Sequence, residues 1–274
     1  MNYRHAFHAG NFADLVKHAA LLRLMTEMTR GGPLTVIDTH AGRGLYDLAG
    51  AEAARSGEAE AGIGRLMDGP APPPEIMALK AAVSALNGSQ FARRYPGSPW
   101  LIAQALRAAD RYIACELNPE EHAVLADVLK GHANARTLCA DGFQALASLP
   151  PAQSRVLALI DPPFERADDY VRIVESLRAL RARHPTAVAL VWLPLKDLET
   201  LDAFLRDLED VVSGRILIAE ARVRPLTNPM KMNGCALALV GGPDLEGPIA
   251  AICGWVAESF GAGGLARCYS LASR

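Results

Sequence analysis

The chain has 274 residues, half of them hydrophobic, enough for one large domain or for one domain carrying an insert. A formal net charge of −2 is no signature of a general nucleic-acid binder, so such a partner would have to meet a local basic patch. Five widely spaced cysteines (Cys115, Cys139, Cys235, Cys253, Cys268) with no CxxC pair argue against a disulfide framework and a zinc site, and no apolar run reaches membrane-spanning length.

The opening "MNYRHAFHAGNFADLVKH" is polar and histidine-rich, which is not the pattern of a signal peptide; a soluble, cytoplasmic protein with free thiols is expected. Residues 11–30 read as a helix capped by Asn11 or Asp14, with Leu15, Leu22 and Met25 on roughly one face and Gly31-Gly32-Pro33 as its stop. "LTVID" (34–38) is a short buried strand that feeds a glycine-containing turn. From 50 to 96 the texture changes to Ala, Gly and Glu, then "GPAPPPE" (69–75) and a helical "ALKAAVSALN". This stretch reads as a small helical insert, 50–96, in a domain made of 1–49 and 97–274.

"SPWLIAQALRA" (98–108) reads as a helix with Ser98 as N-cap and Pro99 at the first helical position. Strand 112–117, helix 119–130, strand 135–140, a short helix from Phe143 and strand 156–160 then alternate. Helix 168–182, strand 187–194, helix 196–209, strands near 214–223 and 234–241, helix 248–260 and a strand near 266–272 complete the order. Apolar strands alternating with helices predict an α/β, Rossmann-like, mostly parallel sheet covered on both faces. The late strand pair predicts an antiparallel edge.

In such sheets ligands bind outside the carboxyl ends of the strands. Polar groups stand at four of those ends: Asp38 before "THAGRG", Glu116 after "YIAC", Asp141-Gly142 after "TLCA", and Asp161 after "LALI". Each alone has a plain structural reading as a turn or a helix cap. Together, a glycine turn (Gly42, Gly44) and a carboxylate ending the next strand suit a nucleoside, with Glu116 on the ribose hydroxyls and Asp141 accepting from an adenine amine. Asp47 stands near where a dinucleotide fingerprint would continue in glycine, and it would repel a pyrophosphate. A cationic S-adenosylmethionine (SAM) would tolerate the acids, so SAM is the expected cofactor.

Asp161-Pro162-Pro163-Phe164 resembles the [D/N/S]PP[Y/F/W] signature of amino-group methyltransferases. The lone pair of an exocyclic adenine amine is delocalised into the ring, which makes it a poor nucleophile. The Asp161 carboxylate and the Pro162 carbonyl could each accept one of its hydrogens and aim the lone pair at the methyl donor. Phe164 offers a face for an unstacked base, worth roughly 1–3 kcal/mol.

"NYRHAFHAGNFADLVKH" (2–18), "DTHAGRGLY" (38–46), "YPGSP" (95–99), "ADGF" (140–143) and "IDPPFE" (160–165) together resemble the ribosomal RNA large-subunit methyltransferase J family over essentially the full length. The resemblance implies a Rossmann-like class I methyltransferase that uses SAM on adenine N6 of 23S rRNA, free or in an assembly intermediate. Carried over residue by residue, it implies SAM contacts at His18, His40, Ser98, Glu116, Asp141, Gly142 and Asp161. Asp161 is the implied catalytic residue. Tyr3, with Arg4, His5 and Lys17, is placed near the base or RNA. The family commonly has tyrosine after the two prolines, where this chain has Phe164.

No metal, no membrane and a monomer are expected. Other readings are an amino-methyltransferase of DNA adenine or protein glutamine, and a non-catalytic RNA-binding or ribosome-assembly protein. Candidate RNA contacts are Arg222, Arg224 and Lys231, in a stretch without acids, and Arg93-Arg94-Tyr95.

Overall fold

A computed structural model describes residues 8–50, 57–69, 71–88, 91–149, 154–228, 230–261 and 263–271. Helix α1 (Phe12–Arg30) begins where the Asn11 side chain accepts hydrogen bonds from the Ala13 and Asp14 amides, each at 3.0 Å, and ends at Gly31. Its buried residues lie on several faces, so it behaves as a core helix rather than a surface one. It packs against α3 (Pro74–Asn87), α4 (Ser98–Ala105) and α9 (Glu246–Phe260).

The central sheet contains β1 (Leu34–Asp38), β4 (Arg111–Cys115), β5 (Ala135–Leu138), β6 (Arg155–Ile160), β7 (Val188–Leu195), β8 (Ile216–Arg222), β9 (Gly234–Val240) and β10 (Leu265–Leu271). Its spatial order is β10-β8-β9-β7-β6-β1-β4-β5. Strands β5, β4, β1, β6 and β7 are parallel. The expected antiparallel edge is deeper than one hairpin: β9 inserts antiparallel between β7 and β8, and β10 adds antiparallel outside β8. This is an α/β, Rossmann-like sheet with an apolar core on each face. Leu34 and Val36 of β1 join the core that contains α1, whereas Ile37 joins the core shared with α7 (Asp169–Arg183) and α8 (Leu198–Glu209).

Three features depart from the sequence-based expectations. A ribbon of β2 (Leu45–Asp47) and β3 (Arg94–Pro96) ties together the ends of the segment between them, through strands too short to show alternation. A π-helical turn (Glu60–Gly64) runs into α2 (Arg65–Asp68), and Ile63, Leu66, Ile76, Leu79 and Val83 of this region enter the same core as α1. Finally, α4 stops at Ala105, and its N-cap position is Gly97, not Ser98. The Ser98 hydroxyl donates instead to Asp38 Oδ2 at 2.7 Å. Among the described residues, no helix is long and apolar enough to cross a membrane.

Candidate active site

A cleft of about 790 Å³ opens at the carboxyl ends of the parallel strands, where the strand order departs in opposite directions on the two sides of β1. Helix α1 supplies one wall. Asp14, Lys17 and His18, at i, i+3 and i+4, share one face of that helix. Lys17 Nζ lies 2.9 Å from Asp14 Oδ1 and 2.5 Å from Asp161 Oδ2. Burial opposes the charge on Lys17, yet the two carboxylates outweigh it and hold its pKa well above the ordinary lysine value. Lys17, expected near the substrate, is therefore fixed directly on Asp161. His18 Nδ1 is 2.7 Å from the hydroxyl of Tyr95, which is fully buried. Burial of that ring removes it from the proposed Arg93-Arg94-Tyr95 RNA patch.

The turn after β1 needs its glycines, because Gly42 and Gly44 have φ of +64° and +84°. The Gly42 amide donates to Glu116 Oε2 at 2.9 Å, and the Asn118 amide to Oε1 at 2.7 Å. Each carboxylate oxygen keeps a second lone pair for a ligand hydroxyl. Burial raises the Glu116 pKa. Asp38 does not line the cleft. It is fully buried beneath the turn and accepts from Ser98 Oγ and, at 3.2 Å, from the Tyr112 hydroxyl, while burial pushes its pKa up to about 6.

His40 is oriented by its neighbour. Thr39 Oγ1 donates to the Leu159 carbonyl at 3.1 Å and lies 2.8 Å from His40 Nδ1. A hydroxyl has one proton, so both contacts are attractive only if Nδ1 carries hydrogen and donates to Thr39. Nε2 is then left as an acceptor. Burial lowers the His40 pKa to about 4, so the ring is neutral at pH 7. The unfolded chain binds this proton more tightly, so the His40 contribution weakens stability as pH falls from 6.5 toward about 4. Nitrogen-15 NMR should show a neutral Nδ1–H tautomer between about pH 5 and 8. An Nε2–H tautomer in that range would overturn the assignment.

Asp141 caps α6 (Gly142–Ala147), accepting from the Phe143 and Gln144 amides at 3.0 and 3.3 Å, and its other oxygen accepts from Arg172 at 2.5 Å. Burial alone would raise its pKa, but Arg172 and the cap amides outweigh it and leave the value below the ordinary aspartate range. The Arg172 guanidinium also lies 4.5 Å from the centroid of Phe143, whose ring meets His40 edge-on at 4.8 Å. Gly142 permits this close packing, since a Cβ there would fall 1.8 Å from the Thr39 carbonyl oxygen.

Beyond β6, Asp161, Pro162, Pro163 and Phe164 all face the cleft. Phe164 has φ of +50°, the one positive value outside glycine among the described residues. A non-glycine side chain held there stores backbone strain of the kind that collects at functional sites. Its ring is 5.0 Å from that of Tyr170 and 5.9 Å from that of Trp192, so it is braced from behind.

Of the sequence-based site residues, His18, His40, Ser98, Glu116, Asp141, Gly142, Lys17, Asp161, Pro162 and Phe164 all line this one cleft. Tyr3, Arg4 and His5 lie outside the described residues. Thr39 and Arg172 were missed, Asp14 was read only as a possible helix cap, and Tyr95 was read as an RNA contact and not as the partner of His18. Of these only Asp14 had a local signal, its helical spacing from Lys17 and His18.

A family model described as "Ribosomal RNA large subunit methyltransferase D, RlmJ" matches residues 31–269. Two proteins named "Ribosomal RNA large subunit methyltransferase J" are similar to the chain. The one from Escherichia coli is 34% identical over 245 residues and the one from Haemophilus influenzae 33% identical over 246, each alignment covering 89% of this chain and 88% of the relative. The crystal structure of protein LPL1258 from Legionella pneumophila superposes with a TM-score of 0.88 at 29% identity, covering 96% of this chain and 98% of that one.

Proposed function

This chain belongs to the RlmJ family of large-subunit ribosomal RNA methyltransferases, and we propose that it methylates the N6 amino group of an adenine in 23S rRNA. SAM is the cofactor, and it supplies an electrophilic methyl group on a sulfonium. The residues fit it. Glu116 would accept from ribose hydroxyls, its oxygens already oriented by the Gly42 and Asn118 amides, and Gly42 and Gly44 would allow close backbone approach. His40 Nε2 offers a neutral acceptor, and the acids on this side favour a cation.

The observation that carries the N6-amine reading is the Asp161–Phe164 lip. Lys17 fixes the Asp161 carboxylate at the end of a buried strand. The two prolines hold the adjoining carbonyl in one geometry, and Phe164 is braced in a left-handed conformation. Asp161 and the Pro162 carbonyl each accept one hydrogen of the amine, which takes the nitrogen lone pair out of the ring and toward the methyl group. Forming the N–C bond would break the methyl–sulfur bond and leave a neutral thioether; the Asp161 carboxylate would stabilise the positive charge that grows on nitrogen and receive the departing proton. Segment 50–96 would close one side of the site, since Glu58, Gly62 and Arg65 line the cleft. The enzyme would act as a cytoplasmic monomer on free rRNA or an assembly intermediate.

The test is transfer of labelled methyl from SAM to deproteinised 23S rRNA, duplex DNA and a release factor, followed by nucleoside and amino-acid digestion. N6-methyladenosine from the rRNA is expected. Label only in DNA, in glutamine or nowhere would overturn the reading. Phe164→Tyr should keep activity, whereas Phe164→Ala should lower kcat/KM by about ten- to a hundredfold through loss of base stacking. Equal losses in the two variants would argue against stacking.

A further inference from the structure

The cleft is electrically divided. Acids line it from α1, the segment between β2 and β3, and the chain beyond the ends of β4, β5 and β6. Most already have partners: Asp14 and Asp161 hold Lys17, Asp141 holds Arg172, and Glu121 holds Arg43. The opposite end is built from the tail of β7, the tail of β8 and the approach to β9. It contributes Trp192, Pro194, Lys196, Val223, Arg224, Lys231 and Met232 to the lining and not one acid.

Three of these are exposed cations. Among the described residues, the side chains of Lys196, Arg224 and Lys231 make no hydrogen bond or ion pair. Their acidic and basic neighbours are otherwise engaged. Asp197, next to Lys196, caps α8 through the Thr200 amide at 2.8 Å. Arg222, expected in this patch from sequence, is instead consumed by Glu220 at 2.5 Å and leaves the patch.

The three cations also sit on one preorganised frame, although they come from separate chain segments. Asn233 is buried, and its amide donates to the Leu195 carbonyl at 3.0 Å. Its side chain donates to the carbonyls of Lys196 at 3.1 Å and Asn228 at 2.8 Å. Its own carbonyl accepts from the amides of Val223 and Arg224 at 2.9 and 3.0 Å. One buried asparagine thus ties the backbones that bear Lys196 and Arg224 to the loop that bears Lys231. Uncompensated charge on a braced backbone lowers the ordering cost of gripping a polyanion.

We infer that this end of the cleft is the docking surface for the sugar–phosphate backbone of the RNA strand bearing the target base, with Lys196, Arg224 and Lys231 as its phosphate contacts. The inference rests on the RNA reading above and deepens it. The division of charge sorts the two ligands: the cationic donor goes to the acid-lined half, and the polyanion to the basic half. Phe164 stands on the side of the basic rim, with its ring against Trp192, so a base drawn from a strand held there would reach the Asp161 lip.

Anisotropy with a short labelled single-stranded RNA, titrated over about 50–200 mM salt, measures the number of phosphate contacts, each worth about 0.7 in the log–log slope. The variant K196A/R224A/K231A should lose about 2 from that slope and bind about a hundredfold more weakly near 0.1 M salt. Its KM for RNA should rise, while SAM affinity by calorimetry stays at the wild-type value. Unchanged slope and RNA affinity in a variant that still binds SAM would overturn the inference. If the triple variant also loses SAM, the single variants Lys196→Gln and Lys231→Gln carry the test, each with an expected slope loss of about 0.7. Methyl transfer by the wild-type protein to DNA or protein in place of rRNA would instead sink the substrate reading. The salt slopes are read independently of that result.

Discussion

Asp161→Asn should abolish methyl transfer, with kcat at saturating SAM falling by at least about a hundred- to a thousandfold, while the protein remains folded. Asparagine keeps the size of the side chain but loses the charge that stabilises the cationic nitrogen and the oxygen that receives its proton. The fold should survive because Lys17 keeps Asp14 at 2.9 Å, and because the Asp161 side chain is 18% exposed and already partly hydrated. Single-turnover transfer to rRNA, alongside thermal unfolding, separates the two effects. Near-wild-type turnover in a folded Asp161→Asn protein would remove Asp161 from the chemistry.

The second large effect falls on stability. Lys17→Met should destabilise the protein by about 3–5 kcal/mol, because it leaves the Asp14 and Asp161 carboxylates facing each other without a cation. Lys17 is 6% exposed and Asp14 3%, so water does little to relieve the repulsion. The folded lysine pKa is raised, so its stabilisation is fully present below the ordinary value of 10.5 and is lost only as pH rises through the still higher folded value. The destabilisation should therefore be seen across the neutral range. Adding Asp14→Asn to Lys17→Met removes one of the stranded charges and should recover a good part of the loss. Urea denaturation of the wild type, both single variants and the double variant gives the coupling. Simple additivity would mean that the two residues do not act as a pair.

Much of the scaffold was legible because its signals are local. The short, β-branched-rich strand β1, the helix stop at Gly31 and the prolines after β6 are each decided by residues a few positions apart. The polar residues at strand ends were readable for the same reason, since topology sends every parallel strand end to one rim. What was misread depends on what lies above a residue in space. Asp38 looks like a cleft acid until Ser98 and Tyr112 are seen to cover it, and Tyr95 looks like an RNA-facing aromatic until its ring is found in the core. The ribbon β2–β3 joins residues about fifty positions apart through strands of three residues, below the length at which alternation can be recognised.

By itself, then, the sequence determined the alternation of strands and helices in the central sheet and the residue types delivered to its carboxyl rim, because periodicity, capping and proline geometry act over a few residues. Only the tertiary structure decided which charges are spent and which are free. Lys17 reaches Asp161 across 144 positions, Arg172 neutralises Asp141, Glu220 takes Arg222, and the remaining Lys196, Arg224 and Lys231 are brought onto one frame by Asn233. A Coulomb interaction depends on distance and burial, and neither is a property of a residue's place in the chain.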